Sequence, residues 1–169
     1  MAGWDFVVLT ASNEEQAKGY RLEMNHRKKG NRLPADCVYA ALPDPEGKRV
    51  GSGGATFHVL RYLMEQTGAT MDGFRGKKIL VIHSGGDSKR VLQYSVCGKL
   101  FSPVPRQLPD GSWSTLFDEL MLSMEIVSER IKEGMLVLSG DVLLIFDANN
   151  LDFSFRDAAD LSIKEPVST

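Results

Sequence analysis

The apolar stretch Lys78–His83 constrains the fold of this chain more than any other segment. Its central residues, Ile79 to Ile82, are uninterrupted apolar side chains, which is typical of a strand covered on both faces of a parallel sheet. The stretch leads directly into Ser84-Gly85-Gly86, and glycines let the backbone turn sharply and approach a ligand closely. We therefore expect a central parallel strand that ends in a ligand-binding turn.

The rest of the sequence alternates between strand and helix patterns. Apolar runs predict strands at residues 5–11, 38–42 and 135–139, the first and the last of them buried. The sequence predicts three helices. The first begins after a cap at Ser12 or Asn13, and the second follows the glycine-rich segment 47–54, which we expect to be a loop. The third begins after residue 115. The segment that follows Ser84-Gly85-Gly86, up to about Ser114, is expected to be irregular. The alternation predicts an α/β fold with a mostly parallel sheet, whose ligands collect beyond the carboxyl ends of the strands.

Composition narrows the class of protein. The 169 residues are 43% hydrophobic and 25% charged, which is ordinary for a globular chain that buries its own core, so we expect a single domain over residues 1–169. The net charge of −2 argues against a nucleic-acid partner. No stretch approaches the roughly 20 apolar residues of a membrane helix, and no secretory signal is present, so we expect no membrane partner.

The cysteines and the basic residues carry little functional information. Cys37 and Cys97 are too few and too far apart for a disulfide framework or a four-ligand zinc site, which favours a cytoplasmic protein. The basic stretch from Arg27 to Arg32 follows a helical pattern and precedes Pro34, so we interpret it as a solvated helix end rather than a binding patch.

The segment from Ser84 to Lys99 has the residues of a phosphate site. Gly85, Gly86 and Ser88 could form a nest of backbone and hydroxyl donors around a triphosphate. Arg90 and Lys99 could neutralise charge on the α-phosphate and on a departing pyrophosphate. No Gly-Lys-Ser/Thr follows at the spacing of a Walker loop. The alternative is a surface turn with solvated basic side chains.

A second glycine-rich segment, Gly51-Ser52-Gly53-Gly54, precedes a helix. The free N–H groups and the dipole of that helix would favour an anion, so these residues are candidates for nucleotide binding. The glycines could equally allow a close backbone contact with a neighbouring strand or a base. His58 and His83 border the two glycine segments, and local hydrogen bonding is the more common role of such histidines.

Asp141 is the candidate metal ligand. It follows an apolar strand pattern and Gly140, so its carboxylate would point out from the edge of the sheet. Mg²⁺ needs one or two protein carboxylates and takes its other ligands from water and substrate phosphates. The alternative is a turn or helix-cap aspartate.

Three motifs in order resemble a known family, the L-fucose-1-phosphate guanylyltransferases, also called GDP-fucose pyrophosphorylases. They are Trp4-Asp5 leading to Leu9–Ser12, then Val50–Leu60, then Ile82–Arg90 with Gly98-Lys99. Ser139-Gly140-Asp141 is also similar to the Gly-Asp metal site of sugar nucleotidyltransferases. In that superfamily a proline commonly follows the lysine directly, whereas here Leu100-Phe101-Ser102 precede Pro103.

The resemblance implies a fold and a reaction. The fold is a three-layer, Rossmann-like (GT-A-like) α/β domain with a mostly parallel sheet, incomplete at its C-terminus. The reaction is Mg²⁺-dependent transfer of GMP from GTP to L-fucose-1-phosphate, giving GDP-fucose and pyrophosphate. Arg90 and Lys99 would stabilise the transition state, and Asp141 would bind Mg²⁺. Ser84, Gly85, Gly86 and Ser88 would hold the phosphates. The segment from Gly51 to Thr56, with Gly51, Ser52, Gly53 and Gly54 as its binding residues, would contact the nucleotide.

Family members run to several hundred residues and some carry a fucokinase domain, so the chain resembles an N-terminal portion whose further partner is the rest of its parent chain. Nothing in it resembles a kinase phosphate loop, and we expect no fucokinase activity. Two alternatives stay open: a non-catalytic nucleotide-binding or assembly module, and a nucleotidyltransferase for another sugar 1-phosphate.

Overall fold

The structure, a computed structural model, describes residues 3–68, 74–84, 98–142 and 146–147. Within these ranges the chain forms six strands and three α-helices. They are β1 (Phe6–Ala11), α1 (Glu14–Lys29), β2 (Val38–Pro43), α2 (Gly51–Thr67), β3 (Lys78–His83), β4 (Pro103–Gln107), β5 (Trp113–Thr115), α3 (Leu116–Arg130) and β6 (Gly134–Ser139), with 3₁₀ turns at Pro45–Gly47 and Lys99–Phe101. None of the helices in the described part is long and apolar enough to cross a membrane.

Four of the strands form one parallel sheet in the order β2-β1-β3-β6. Residue Thr10 of β1 lies beside His83 of β3, and His83 lies beside Ser139 of β6. The chain moves to one side of β1 to make β2 and then to the other side to make β3. This reversal creates a crevice at the carboxyl ends of β1 and β3, where open parallel sheets bind ligands.

Helices cover both faces of the sheet, which confirms the expected three-layer α/β fold. On one face, Leu80 and Ile82 of β3 pack in the same apolar cluster as Tyr20 of α1 and Phe117 of α3. On the other face, Val81 packs in a cluster with Val59 of α2. Because β1 and β3 contribute buried side chains to both clusters, their continuous apolar runs are explained.

The helix starts follow their sequence signals. The Asn13 side chain accepts a hydrogen bond from the Gln16 backbone N–H (2.8 Å), which caps α1 as predicted. In α3 a capping box joins Thr115 and Asp118, in which each side chain accepts from the backbone N–H of the other.

The prediction of an irregular segment before Ser114 is wrong in part. Strands β4 and β5 form an antiparallel hairpin over Pro103–Gln107 and Trp113–Thr115. The sequence signal was weak because Pro103 and Pro105 lie within β4, and proline cannot donate to a strand ladder. The hairpin is separate from the parallel sheet.

Strand β6 is present as predicted, but the prediction that it is buried is wrong. Met135 and Val137 are 37% and 41% exposed, because β6 pairs only with β3 among the described residues. β6 is therefore an edge strand of the described sheet, and part of its apolar surface is exposed.

The expectation of a solvated basic helix end is wrong for Arg27, which is only 3% exposed. Its guanidinium donates two hydrogen bonds to the Asp118 carboxylate (2.8 and 3.1 Å) and one to the Thr115 hydroxyl (3.0 Å). It also lies 4.9 Å from the centre of the Phe101 ring. Burial alone would lower the pKa of Arg27, but the hydrogen bonds and charges of Asp118 and Glu23 outweigh it, so the side chain stays charged.

We expect Arg27→Ala to lower the free energy of unfolding by about 3–5 kcal/mol, because it leaves the buried Asp118 carboxylate without its partner. Lys29→Ala, in the same last turn of α1 but at an exposed position, is the control and should change stability by less than about 0.5 kcal/mol. Urea unfolding measures both variants. Similar losses for the two would show that the buried pair does not support the fold.

Candidate functional site

The exits of β3 and β6 lie in close contact at the carboxyl edge of the sheet. The Gly140 backbone N–H donates a hydrogen bond to the His83 carbonyl oxygen (2.8 Å). A Cβ atom at Gly140 would lie 2.7 Å from the Ser84 Cβ and 3.2 Å from that carbonyl oxygen. Only glycine fits here, and its presence places Asp141 beside the exit of β3.

Ser84 and Gly98 flank segment 85–97, and both lie against the hydroxyl group of Tyr20 on α1. The Ser84 hydroxyl donates to the Tyr20 oxygen (2.6 Å), and the Tyr20 hydroxyl donates to the Ser84 carbonyl oxygen (3.1 Å). At Gly98, whose φ is +63°, an added Cβ would lie 2.2 Å from the Tyr20 oxygen. Tyr20 is itself fully buried. Both ends of the predicted phosphate-binding segment are therefore fixed against α1.

The structure brings together two residues that the sequence analysis proposed separately, Lys99 and Asp141. The Lys99 Nζ lies 4.0 Å from the Asp141 Oδ2, and the side chains are 49% and 57% exposed. The Ser139 hydroxyl donates to the Asp141 Oδ1 (2.6 Å). An exposed ammonium group and a carboxylate at one edge can bind a phosphate and its counter-cation together.

The donors at this edge fit a magnesium ion. The Asp141 carboxylate and the neighbouring Ser139 hydroxyl are hard oxygen ligands, which Mg²⁺ prefers. No cluster of three or more histidine, cysteine, aspartate or glutamate side chains suited to a metal occurs among the described residues.

The predicted loop at residues 51–54 is in fact the first turn of α2. The local backbone structure explains why two of its positions are glycine. Gly51 has a φ of +69°, and a Cβ at Gly54 would lie 2.7 Å from the Val50 Cβ. Gly53 has open space around it and no positive φ. The N-cap residue Val50 makes no side-chain cap, so the first N–H groups of α2 have no capping side chain.

His83 links three elements beneath this turn. Its Nδ1 is 3.1 Å from the Thr10 hydroxyl oxygen on β1, and its Nε2 is 2.9 Å from the Thr56 hydroxyl oxygen on α2. Burial lowers the pKa of His83 below its ordinary value of 6.5, although the charge of Asp44 partly opposes this. The expected hydrogen-bonding role of His83 is confirmed. The ring is neutral at pH 7.

The predicted site residues therefore fall into three groups. Lys99, Asp141 and Ser84 gather at the exits of β3 and β6. Gly51, Ser52, Gly53 and Gly54 form the first turn of α2, which His83 joins to the same strand exit. Gly85, Gly86, Ser88 and Arg90 lie outside the described residues.

Sequence reasoning missed the supporting residues Tyr20, Thr10 and Thr56. Tyr20 sits on the apolar face of α1, where an aromatic residue predicts only core packing. Thr10 and Thr56 lie within the motifs Leu9–Ser12 and Val50–Leu60, but nothing in those motifs indicates that both hydroxyls meet His83. Gly98 and Gly140 were visible as glycines beside candidate residues, and the close contacts now explain them.

Comparison with known proteins gives the family. Residues 71–169 match the Fucose pyrophosphorylase domain. The chain belongs to this family. It is 34% identical over 180 aligned positions to a bifunctional fucokinase/GDP-fucose pyrophosphorylase of Arabidopsis thaliana, covering 94% of this chain and 17% of that protein. It is 32% identical over 151 positions to the fucose-1-phosphate guanylyltransferases of Mus musculus and Homo sapiens, covering 89% of this chain.

These findings confirm the family expected from the three motifs. The chain spans 17% of the length of the plant relative and 24% of the length of each mammalian relative. No solved structure matches it.

We expect Gly98→Ala to destabilise the protein more than Gly111→Ala. Both glycines have a positive φ (+63° and +82°), which costs a side chain about 1–2 kcal/mol, but only Gly98 faces an atom of another residue, the Tyr20 oxygen. Tyr20→Phe in the Gly98→Ala background should restore part of the loss. Thermal unfolding of the four proteins measures this, and equal losses at the two glycines would contradict the contact.

We expect His83 to lower the free energy of unfolding as the pH falls below 6.5. Because its folded-state pKa is below 6.5, the unfolded chain binds a proton first and unfolding becomes more favourable. Above that pH both states are neutral at His83 and the effect vanishes. Urea unfolding of wild type and His83→Gln from about pH 8 to about pH 5 isolates this contribution. A difference between the two proteins that is independent of pH would contradict it.

Proposed function

We propose that this chain is a nucleotidyltransferase domain that takes part in the transfer of GMP from GTP to L-fucose-1-phosphate, with GDP-fucose and pyrophosphate as products. The observation that carries the proposal is the pairing of Lys99 with Asp141 at the crevice edge of the sheet (4.0 Å). The printed names of the relatives, fucose-1-phosphate guanylyltransferase and GDP-fucose pyrophosphorylase, support the choice of sugar and base.

The reaction is a direct displacement at phosphorus. A phosphate oxygen of the sugar phosphate forms a bond to the α-phosphorus of GTP, and the bond from that phosphorus to the bridging oxygen breaks. Pyrophosphate leaves with the electron pair of the broken bond. Such a transfer needs positioning and charge neutralisation more than a nucleophilic side chain.

Each charged residue at the edge has a part in this displacement. Lys99 neutralises the charge that develops on the departing pyrophosphate. Asp141, oriented by the Ser139 hydroxyl, holds Mg²⁺, which supplies charge neutralisation at the phosphates when bound. In the same proposal Arg90 shares the task of Lys99, and Gly85, Gly86 and Ser88 donate hydrogen bonds to phosphate oxygens. The Ser84 hydroxyl donates to Tyr20, so the donor that Ser84 would offer is its backbone N–H.

The first turn of α2 provides a second contact with the nucleotide. Its exposed N–H groups at residues 51–53 lack a capping side chain, and the helix dipole favours an anion there. Gly53 leaves open space above the turn, so a ligand can approach the backbone closely.

A second candidate is a nucleotide-binding module that does not turn over its ligand. This candidate is favoured because the chain spans only 17% of the length of the plant relative and 24% of the length of the mouse relative. Contacts to the sugar phosphate can therefore lie in the rest of a longer protein. For either candidate we propose a cytoplasmic location, since the buried Cys37 is a free thiol.

We expect pyrophosphate release from GTP with Mg²⁺ to require L-fucose-1-phosphate, and Lys99→Ala and Asp141→Asn each to reduce its rate by about 10²–10³-fold. The assay compares the four nucleoside triphosphates with and without the sugar phosphate. The exposed Lys132→Ala and Asp36→Asn, at the amino ends of the strands, are matched controls and should keep the rate.

Two other outcomes would change the conclusion. Binding of GTP without pyrophosphate release would favour the nucleotide-binding module. Release that is insensitive to both Lys99→Ala and Asp141→Asn would contradict the assignment of these residues.

A further inference from the structure

The protons around His83 can be assigned from the geometry. The Thr56 hydroxyl oxygen is 2.9 Å from the Ser52 carbonyl oxygen, which can only accept, so the single proton of this hydroxyl points to Ser52. His83 Nε2, 2.9 Å from the same hydroxyl oxygen, must therefore carry a hydrogen and donate it. A neutral imidazole has one N–H group, so Nδ1 accepts from the Thr10 hydroxyl (3.1 Å). One tautomer satisfies all three contacts.

This network reaches the exposed first turn of α2. Residues 51–53 are exposed, and the first buried residue of the helix is Ala55, followed by Val59 and Leu63, which pack in the apolar cluster with β1 and β3. The N-cap residue makes no side-chain hydrogen bond. The Thr56 hydroxyl contacts both the first turn, through Ser52, and the sheet, through His83. This threonine thereby connects the glycine turn to β3.

His83 also contacts the other half of the candidate site through its backbone. Its carbonyl oxygen accepts the Gly140 N–H (2.8 Å), and Gly140 directly precedes Asp141. The next residue along the chain is Ser84, which is fixed by Tyr20. His83 is thus connected through Thr56 to the turn proposed to bind nucleotide, and directly to the strand exits proposed to bind phosphate and metal.

We propose that His83, as its Nε2–H tautomer, is a positioning residue that holds the first turn of α2 at the height of the β3 and β6 exits, so that one nucleotide can contact both. It does not itself touch the reacting atoms. What the two halves bind rests on the proposed function. The connection between them rests on the hydrogen bonds alone.

Two amide variants separate the two sides of the ring. His83→Gln can place an amide N–H near the position of Nε2 and keep the hydrogen bond to Thr56. His83→Asn is too short to reach Thr56 but can keep an acceptor near the position of Nδ1 for Thr10. The hydroxyl of Thr56 is removed with little change of shape by Thr56→Val.

We expect His83→Asn and Thr56→Val each to weaken binding of GTP with Mg²⁺ by about tenfold, and His83→Gln by less than about threefold. The double variant His83→Asn/Thr56→Val should bind no more weakly than the single variants, because both break one connection. Isothermal titration gives the dissociation constants, and melting temperatures without nucleotide report general stability. Equal weakening in the Gln and Asn variants, in proportion to their melting temperatures, would overturn the positioning role.

A second measurement tests the connection without nucleotide. In an α-helix the Ala55 and Thr56 amides bond to the Gly51 and Ser52 carbonyls, so their hydrogen exchange reports the order of the first turn. We expect exchange to be faster in His83→Asn than in His83→Gln, while the Leu63 amide is unchanged. Equal exchange in the two variants would overturn the proposal. If exchange is faster in His83→Asn but the wild-type protein binds no nucleotide, the hydrogen-bonded connection through His83 stands and the proposed function is wrong.

Discussion

The buried guanidinium of Arg27 is the interaction on which the rest of the structure depends. It joins α1 to the start of α3 through Asp118 and Thr115, and it contacts the Phe101 ring at the end of the 3₁₀ turn that begins with Lys99. A charge at this depth is tolerable only when every donor has a partner, since an unpaired buried charge costs several kcal/mol. The pair therefore makes the placement of α1, α3 and this turn mutually dependent.

The geometry of the candidate site depends on this Arg27–Asp118 pair through a series of side-chain contacts. The Phe101 ring packs against the rings of Tyr20 (5.4 Å between centres) and Phe117 (5.1 Å). Tyr20 in turn fixes Ser84 and leaves no room for a side chain at Gly98. A continuous set of contacts thus runs from Arg27 to both flanks of segment 85–97. The exposed Lys99 side chain is placed at this edge of the sheet because Gly98, before it, packs against Tyr20, and Leu100, after it, is buried.

Much of the fold was predictable from the sequence because its signals are local. The apolar run of β3 and the Asn13 cap each depend on a few neighbouring residues, and both predictions are confirmed. The burial of Arg27 was not predictable, because its partner Asp118 lies 91 residues away and nothing in a helical pattern marks which arginine will meet it. The exposure of β6 was missed for a similar reason. An apolar strand pattern does not show how many neighbours the strand will have.

The candidate site was predictable in its residue types and not in its assembly. The glycines and charged residues identified the sequence motifs, but the geometry of the site depends on residues whose supporting role no motif indicates, above all Tyr20 and Thr56. This division has a physical cause. The groups proposed to contact phosphate and metal are charged side chains or lie in glycine-rich segments, and the sequence shows both of these features. Groups that only position others can be any residue with a hydroxyl or ring of the right size, and only the sheet order β2-β1-β3-β6 shows which of them meet.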